Sequence, residues 1–116
     1  MTKYEGIHTG EFLLSEGNGV ISREEVTVAQ GTAALASGTL LGKVTASGKY
    51  IAYVNGAVDG SETVAAVLYT DLPAQAAPAD HSATVIVRAA EVSSALLTGS
   101  DAPALVDLAA LGIVVR

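Results

Sequence analysis

The chain has no cysteine and no tryptophan, one phenylalanine, four tyrosines, three prolines and only six basic residues among 116. Without cysteine there is no disulfide framework, no thiolate nucleophile and no Cys-ligated zinc, so stability must come from burial or association. The basic side chains, Lys3, Arg23, Lys43, Lys49, Arg88 and Arg116, are scattered among twelve acidic ones and leave a net charge of −6. Nucleic-acid binding calls for a clustered basic face that displaces counterions, so neither DNA nor RNA is an expected partner. The longest apolar stretch, LAALGIVV at residues 108–115, falls far short of the roughly 18 residues that span a bilayer. No membrane partner is expected. Glu5, His8 and Glu11 stand where a secretory signal would carry its apolar core, so no export signal is read there.

What the chain does have is alanine, valine and glycine: 21, 14 and 12 residues. Leu, Ile, Val and Phe make up about 28% of it, above the roughly 20% below which chains tend to remain disordered. The length fits one domain. Small side chains fill little core volume per residue, so a lone subunit buries modest apolar area and subunit association is an expected supplement.

The punctuation is that of a β-rich domain of short elements. Residues 1–15 carry Tyr4, Ile7, Phe12, Leu13 and Leu14 between Gly6 and Gly10, too interrupted for a helix and too apolar for a linker, which predicts an extended arm ahead of a domain at 16–116. Residues 15–19, SEGNG, predict a turn, and a strand follows near Val26–Ala29. TLLGKVTA at 39–46 and KYIAYV at 49–54 predict a hairpin about a two-residue turn at Ser47 and Gly48. TVAAVLY at 63–69 is apolar enough for a strand buried on both faces. Pro73 and Pro78 predict an exposed loop over 71–82, with one strand over Ala83–Val92 after it. A helix is predicted from Ser100 or Asp101 as cap, with Pro103 in its first turn, Leu105, Leu108 and Leu111 on one side, and Gly112 as its end. Ile113–Val115 form a terminal strand. The fold class expected is α+β, mostly β: a small single domain of short strands and hairpins, one C-terminal helix and an extended N-terminal arm.

No residue set meets the requirements of a known chemistry. GTLLGKV at 38–44 is one residue short of a phosphate-binding loop and ends in Val44 rather than a hydroxyl, and reads as a strand-edge glycine pair. Gly17-Asn18-Gly19 lacks the third glycine and the following helix of a dinucleotide site. The two histidines, His8 near Glu11 and His81 beside Asp80, each bring one neighbouring carboxylate, too few ligands for a structural metal. Glu24 with Glu25, and Asp59 with Glu62, flank turns where carboxylates are ordinarily solvated, rather than facing each other across a pocket. There is no nucleophile elbow around any serine. No enzyme activity, metal or cofactor is expected.

Four segments carry a resemblance: GEFLLSE at 10–16, GTLLGKV at 38–44, DGSETVAAVLY at 59–69 and LAALGIVVR at 108–116. In this order, and across nearly the whole chain, they resemble the lambda-type head decoration proteins of tailed phages. The resemblance implies a structural cement, a homotrimer seated outside the mature icosahedral head at three-fold and quasi-three-fold positions against the major capsid protein. It implies a location on the outer surface of the virion, after synthesis in the host cytoplasm. It also implies that the N-terminal arm reaches the shell and adds a strand there, which maps the capsid contacts onto Thr2–Leu14 with Tyr4, Ile7, Phe12 and Leu14 as anchors.

The residues agree with that reading in kind. An extended, apolar-punctuated arm suits strand addition, in which main-chain hydrogen bonds hold the peptide and alternate side chains enter pockets. A negative charge keeps a surface protein soluble and away from DNA. The alternative is a trimeric β-rich adhesion module for a host glycan or receptor, weakened by the lack of tryptophan for sugar stacking. A third reading is a small hydrolase of β-rich trimeric architecture with a site shared between subunits, for which Asp59, Glu62 and His81 would be the first suspects.

Overall fold

The computed structural model describes residues 10, 12–16 and 21–116. Five strands close into a barrel: β2 (Arg23–Gln30), β4 (Tyr50–Ala52), β3 (Leu40–Lys43), β5 (Val64–Leu68) and β6 (Ala79–Ile86), with β6 returning to β2. Every pairing is antiparallel except β2 with β4, which meet in parallel at Val28 and Tyr50. Beside the barrel lies a three-stranded sheet in the order β1 (Leu13–Glu16), β7 (Ala90–Val92) and β8 (Ile113–Val115). Helix α1 (Ala102–Ala110) runs into β8, and a single 3-10 turn, Ser94–Leu96, follows β7.

Two apolar clusters hold this together, one on each side of the barrel wall. Alternation along the strands sends Val28, Leu41, Ala66, Leu68, Ala83 and Val85 to the barrel interior. Their neighbours Leu40, Val67 and Ile86 point outward, where Phe12, Val92, Leu108 and Ile113 cover them. A bulge in β5 adds to this: the register shifts between Leu41 paired with Ala66 and Gly42 paired with Val64. The extra residue brings Val64 to the same outer cluster as Val67. A strand buried on both faces, as TVAAVLY predicts, is thus the wall between two cores.

The predicted hairpin is β3 with β4, paired Leu41 to Ala52, Gly42 to Ile51 and Lys43 to Tyr50. Its connection is longer than the two-residue turn expected, because Val44 N–H still donates to Lys49 O at 2.8 Å and Gly48, at φ +72°, donates to Val44 O at 2.8 Å. The helix begins as predicted at Asp101, whose Oδ1 accepts from Ala104 N at 2.9 Å, and Gly112 at φ +79° follows its end. Its buried stripe is Ala104 and Leu108 with Leu111 against the same cluster, whereas Leu105 is exposed. Tyr53 donates its hydroxyl to Asp101 at 3.0 Å, and Asp107 accepts the Val64 N–H at 3.0 Å, so two carboxylates dock the helix on the barrel. Burial and the bond to Asp101 push the Tyr53 phenol above its ordinary pKa.

Three expectations are corrected. Residues 79–82 are not loop: β6 begins directly after Pro78 and pairs with β2 over eight residues, Gln30 to Ala79 through Arg23 to Ile86. Cross-strand pairing there overrides weak local preference. Ala83–Val92 is not one strand, because the chain turns at Arg88 and at Ala89, the latter at φ +51°, and crosses from the barrel to the outer sheet. Ser22 holds that turn by donating its hydroxyl to Ala89 O at 2.9 Å. Finally, Phe12 to Ser15 of the expected arm are part of the domain, since Phe12 is fully buried and β1 starts at Leu13. The expected boundary at residue 15 falls inside β1, and most of the turn at 15–19 lies outside the described residues.

Candidate functional site

The carboxylates singled out in the sequence are occupied by local bonds. Asp59 accepts from Ser61 N at 3.0 Å and Ser61 Oγ at 2.6 Å, and Glu62 accepts from Gly60 N at 2.8 Å. Both staple their own turn. Glu25 accepts the hydroxyls of Ser82 and Thr84 across the β2–β6 ladder, at 2.9 and 2.6 Å, while Glu24 pairs with Arg88 at 2.8 Å. His81 sits exposed on β6 with Nε2 2.6 Å from Gln75 Oε1, and Asp80 faces Lys49 at 2.5 Å. Asp59 and Glu62 lie in the loop before β5 and His81 on β6, each held by its own local partners. The glycines of GTLLGKV serve close contact: Gly38 donates its N–H to Leu68 O at 2.7 Å and cannot offer it to a phosphate. Among the described residues no group of three or more metal-ligating side chains occurs, and no helix is long and apolar enough to cross a membrane.

Four carboxylates are held below their ordinary pKa by hydrogen-bond partners. The Arg23 guanidinium holds Glu16 below the usual carboxylate value of 4.5, Thr84 and Ser82 do the same to Glu25, and Arg116 with Ser15 to Glu91. The Ser61 bonds lower Asp59 from its usual 3.8. A group whose pKa is lower in the folded chain stabilises it above the unfolded value and loses that contribution as pH falls through the folded one. The melting temperature is therefore expected to stay level from pH 7 to about 5 and to fall below about 4.5, with salt weakening only the part that Glu16 and Glu91 contribute through their ion pairs with Arg23 and Arg116. A melt series across pH 3–7 checks this; a rise in stability on acidification would contradict it.

Of the expected arm, Gly10 and residues 12–15 are described. Tyr4 and Ile7 lie outside the described residues. Phe12 points into the core and Leu14 points out, 54% exposed on β1. Gly10 donates its N–H to Ser37 Oγ at 2.7 Å, and its carbonyl accepts from Leu13 N at 3.0 Å, closing a tight turn into β1. Ser37 is itself fixed by its N–H, donated to Asp71 Oδ1 at 2.6 Å. At the other end of β1, Glu16 takes a forked pair from Arg23, at 2.9 and 2.7 Å, and the Arg23 guanidinium lies over the Tyr69 ring, 4.2 Å from its centre. Nothing in the sequence announced this arrangement except Gly10, whose φ of +73° is one that favours glycine.

A second feature is an open groove of about 610 Å³ between α1 and β8, lined by Leu105, Ala109, Val114 and Arg116 among others. Among the described residues β8 is the last strand of its sheet, and Leu105 on α1 and Val114 on β8 are exposed beside the groove. Edge strand and apolar side chains together are the ordinary make-up of a contact surface.

No curated protein matches the chain. The model of the family described as bacteriophage lambda head decoration protein D matches residues 2–113, from the N-terminal segment through both cores to the first residue of β8. A mostly β domain whose carboxylates serve its own turns and ladders, and whose unspent features are surfaces, accords with that match. The chain belongs to the lambda head decoration protein family, structural proteins of the phage capsid.

Proposed function

We propose that the protein binds as homotrimers to the outer surface of the expanded head, at three-fold positions, contacts the major capsid protein through its N-terminal residues, and stabilises the shell against internal DNA pressure. The family match over residues 2–113 carries this reading. Tyr4, Ile7 and Leu14 are the side chains assigned to the capsid. Phe12, being buried, contributes by anchoring β1, which carries Leu14. The apolar side chains along α1 and β8 support association of a second and third copy of the chain. Three arms on one trimer bind with avidity, because docking one raises the effective concentration of the others. A trimer that binds only the assembled, expanded shell stabilises that state by mass action.

Electron cryomicroscopy of expanded, undecorated heads of the cognate phage mixed with the purified protein tests the proposal. Three-lobed density at the three-fold positions, continuous with the capsid at the N-terminal residues, is the expected result. Bare heads at saturating protein would overturn it. Unexpanded shells, whose neighbouring subunits are out of register for three arms, are expected to bind poorly in sedimentation.

A further inference from the structure

Both asparagines of the chain precede a glycine, at Asn18-Gly19 and Asn55-Gly56, and one aspartate does so as well, at Asp59-Gly60. Asn18 lies outside the described residues, while the other two steps share the loop between β4 and β5. Such a step is where a backbone nitrogen most easily attacks the side chain before it, because glycine puts no side chain in the way and reaches backbone angles closed to other residues. The fold treats the two steps of this loop in opposite ways. At the first, both residues are exposed, and among the described residues neither the Asn55 side chain nor the Gly56 N–H has a hydrogen-bond partner. Gly56 stands at φ +90°, with nothing within 4 Å of the place a Cβ would take.

At the second step both reacting groups are engaged. Asp59 Oδ1 accepts from Ser61 N at 3.0 Å and from Ser61 Oγ at 2.6 Å, and Gly60 donates its N–H to Glu62 Oε1 at 2.8 Å. Gly60 also lies against Lys43 O and Thr45. The bonds from Ser61 hold the Asp59 carboxyl below its usual 3.8, so it stays an anion, the form from which an attacking nitrogen cannot displace oxygen. We propose that Asn55 is a site of spontaneous backbone-assisted deamidation, and that Ser61 and Glu62 keep Asp59, four residues on, from the equivalent rearrangement. A bond forms between Gly56 N and Asn55 Cγ as the Cγ–Nδ2 bond breaks, and ammonia leaves with the Gly56 proton, giving a five-membered succinimide. Water then opens the ring at either carbonyl, to aspartate or to isoaspartate, in which the chain runs through the side-chain carbon. Each event adds a negative charge to the formal −6, on the loop that also carries the almost fully exposed Val58. The protection of Asp59 serves the fold, because its bonds to Ser61 hold the backbone that rests on Gly42.

The test ages purified full-length protein, folded and unfolded in guanidinium chloride, at mildly alkaline pH for the amide and mildly acidic pH for the carboxyl. Peptide mapping by mass spectrometry with electron-transfer fragmentation then separates aspartate from isoaspartate; the tryptic peptide of residues 50–88 carries both steps. Asn55 is expected to gain about 1 Da as a mixture of the two products. Its folded rate should lie within about threefold of the unfolded one, whereas isomerisation at Asp59 should be at least about tenfold slower folded than unfolded, since it waits for local bonds to open. Asn55→Gln should abolish the change at that position. Glu62→Ala, which frees the Gly60 N–H at an exposed site, should speed isomerisation at Asp59 in the folded protein and leave the rate at Asn55 unaltered. If folding slows Asn55 as much as Asp59, the site is closed and the proposal falls. Equal folded and unfolded rates at Asp59 would overturn its protection, and an unchanged rate in folded Glu62→Ala would overturn the part assigned to Glu62.

Discussion

Replacing Phe12 with alanine is expected to cost about 3–5 kcal/mol of unfolding free energy. Phe12 is the one phenylalanine of the chain, fully buried, and it belongs to the outer cluster in which Leu40, Val92, Leu108 and Ile113 meet. Removing its ring empties the junction between barrel, helix and outer sheet, and the surrounding backbone has little freedom to collapse into the space. Phe12 O accepts from Ser93 N at 2.7 Å, and the preceding turn is closed at Gly10. Small domains have about 5–15 kcal/mol in total, so the variant would stand near the edge of folding. Denaturant titration should show a large fall in midpoint with little change in slope. Leu14→Ser, two residues on at a position 54% exposed, should by contrast move stability by no more than about 0.5 kcal/mol while weakening binding to heads. A Phe12→Ala protein as stable as the unmodified chain would show that the outer cluster does not depend on it.

That contrast also marks how far the sequence could be read. Local signals placed elements well: an Asp101 cap before Pro103 and a Gly112 stop define a helix in any context, and two apolar runs about Ser47-Gly48 define a hairpin, though not the length of its turn. The apolar run of β5 correctly announced burial on both faces. The partition of Phe12, Leu13 and Leu14 between core and surface was different. The three are comparable in hydrophobicity, and which one turns inward is decided by pairing of Leu13 with Val92 and Ser15 with Glu91 on β7, 76 or more residues later in the chain. The break at Arg88 and Ala89 carries no glycine or proline, and Ala79–Ser82 carry little β preference. Both are set by partners remote in sequence, Ser22 for the turn and β2 for the strand. The contacts of Gly10 with Ser37, of Glu16 with Arg23 and of Arg23 with Tyr69 join four separated segments, so only the glycine could be noticed beforehand. The family, by comparison, was legible throughout, because its pattern is spread along the chain and does not depend on any one side chain's placement.

Gly42→Ala is the second large effect, expected at about 3 kcal/mol. The residue sits in β3 between two partners, Ile51 on β4 and Val64 on β5, so the strand has no free side toward which to retreat. A Cβ there would lie 2.5 Å from Ser61 Cα and 2.6 Å from Ser61 O. These are backbone atoms, and they are pinned. Asp59 Oδ1 accepts from both Ser61 N and Ser61 Oγ, Ser61 O accepts from Val54 N at 3.1 Å, and Asp59 O accepts from Thr45 N at 2.9 Å. Relief therefore requires lifting the loop before β5 off the barrel or bending the central strand, and either disturbs the β5 bulge that sends Val64 to the outer cluster. Gly31→Ala is the matched control, since a Cβ at Gly31 meets nothing within 4 Å and the change should fall within about 0.5 kcal/mol. Thermal and denaturant melts of the two variants side by side check the difference. Equal stabilities would mean that the loop yields easily, and that Gly42 is present for backbone freedom rather than for the close approach of Ser61. A large loss confined to Gly42→Ala would mean that the second glycine of GTLLGKV serves as a seat for another segment's backbone, the physical reason a motif close to a phosphate loop in spelling has a wholly structural use here.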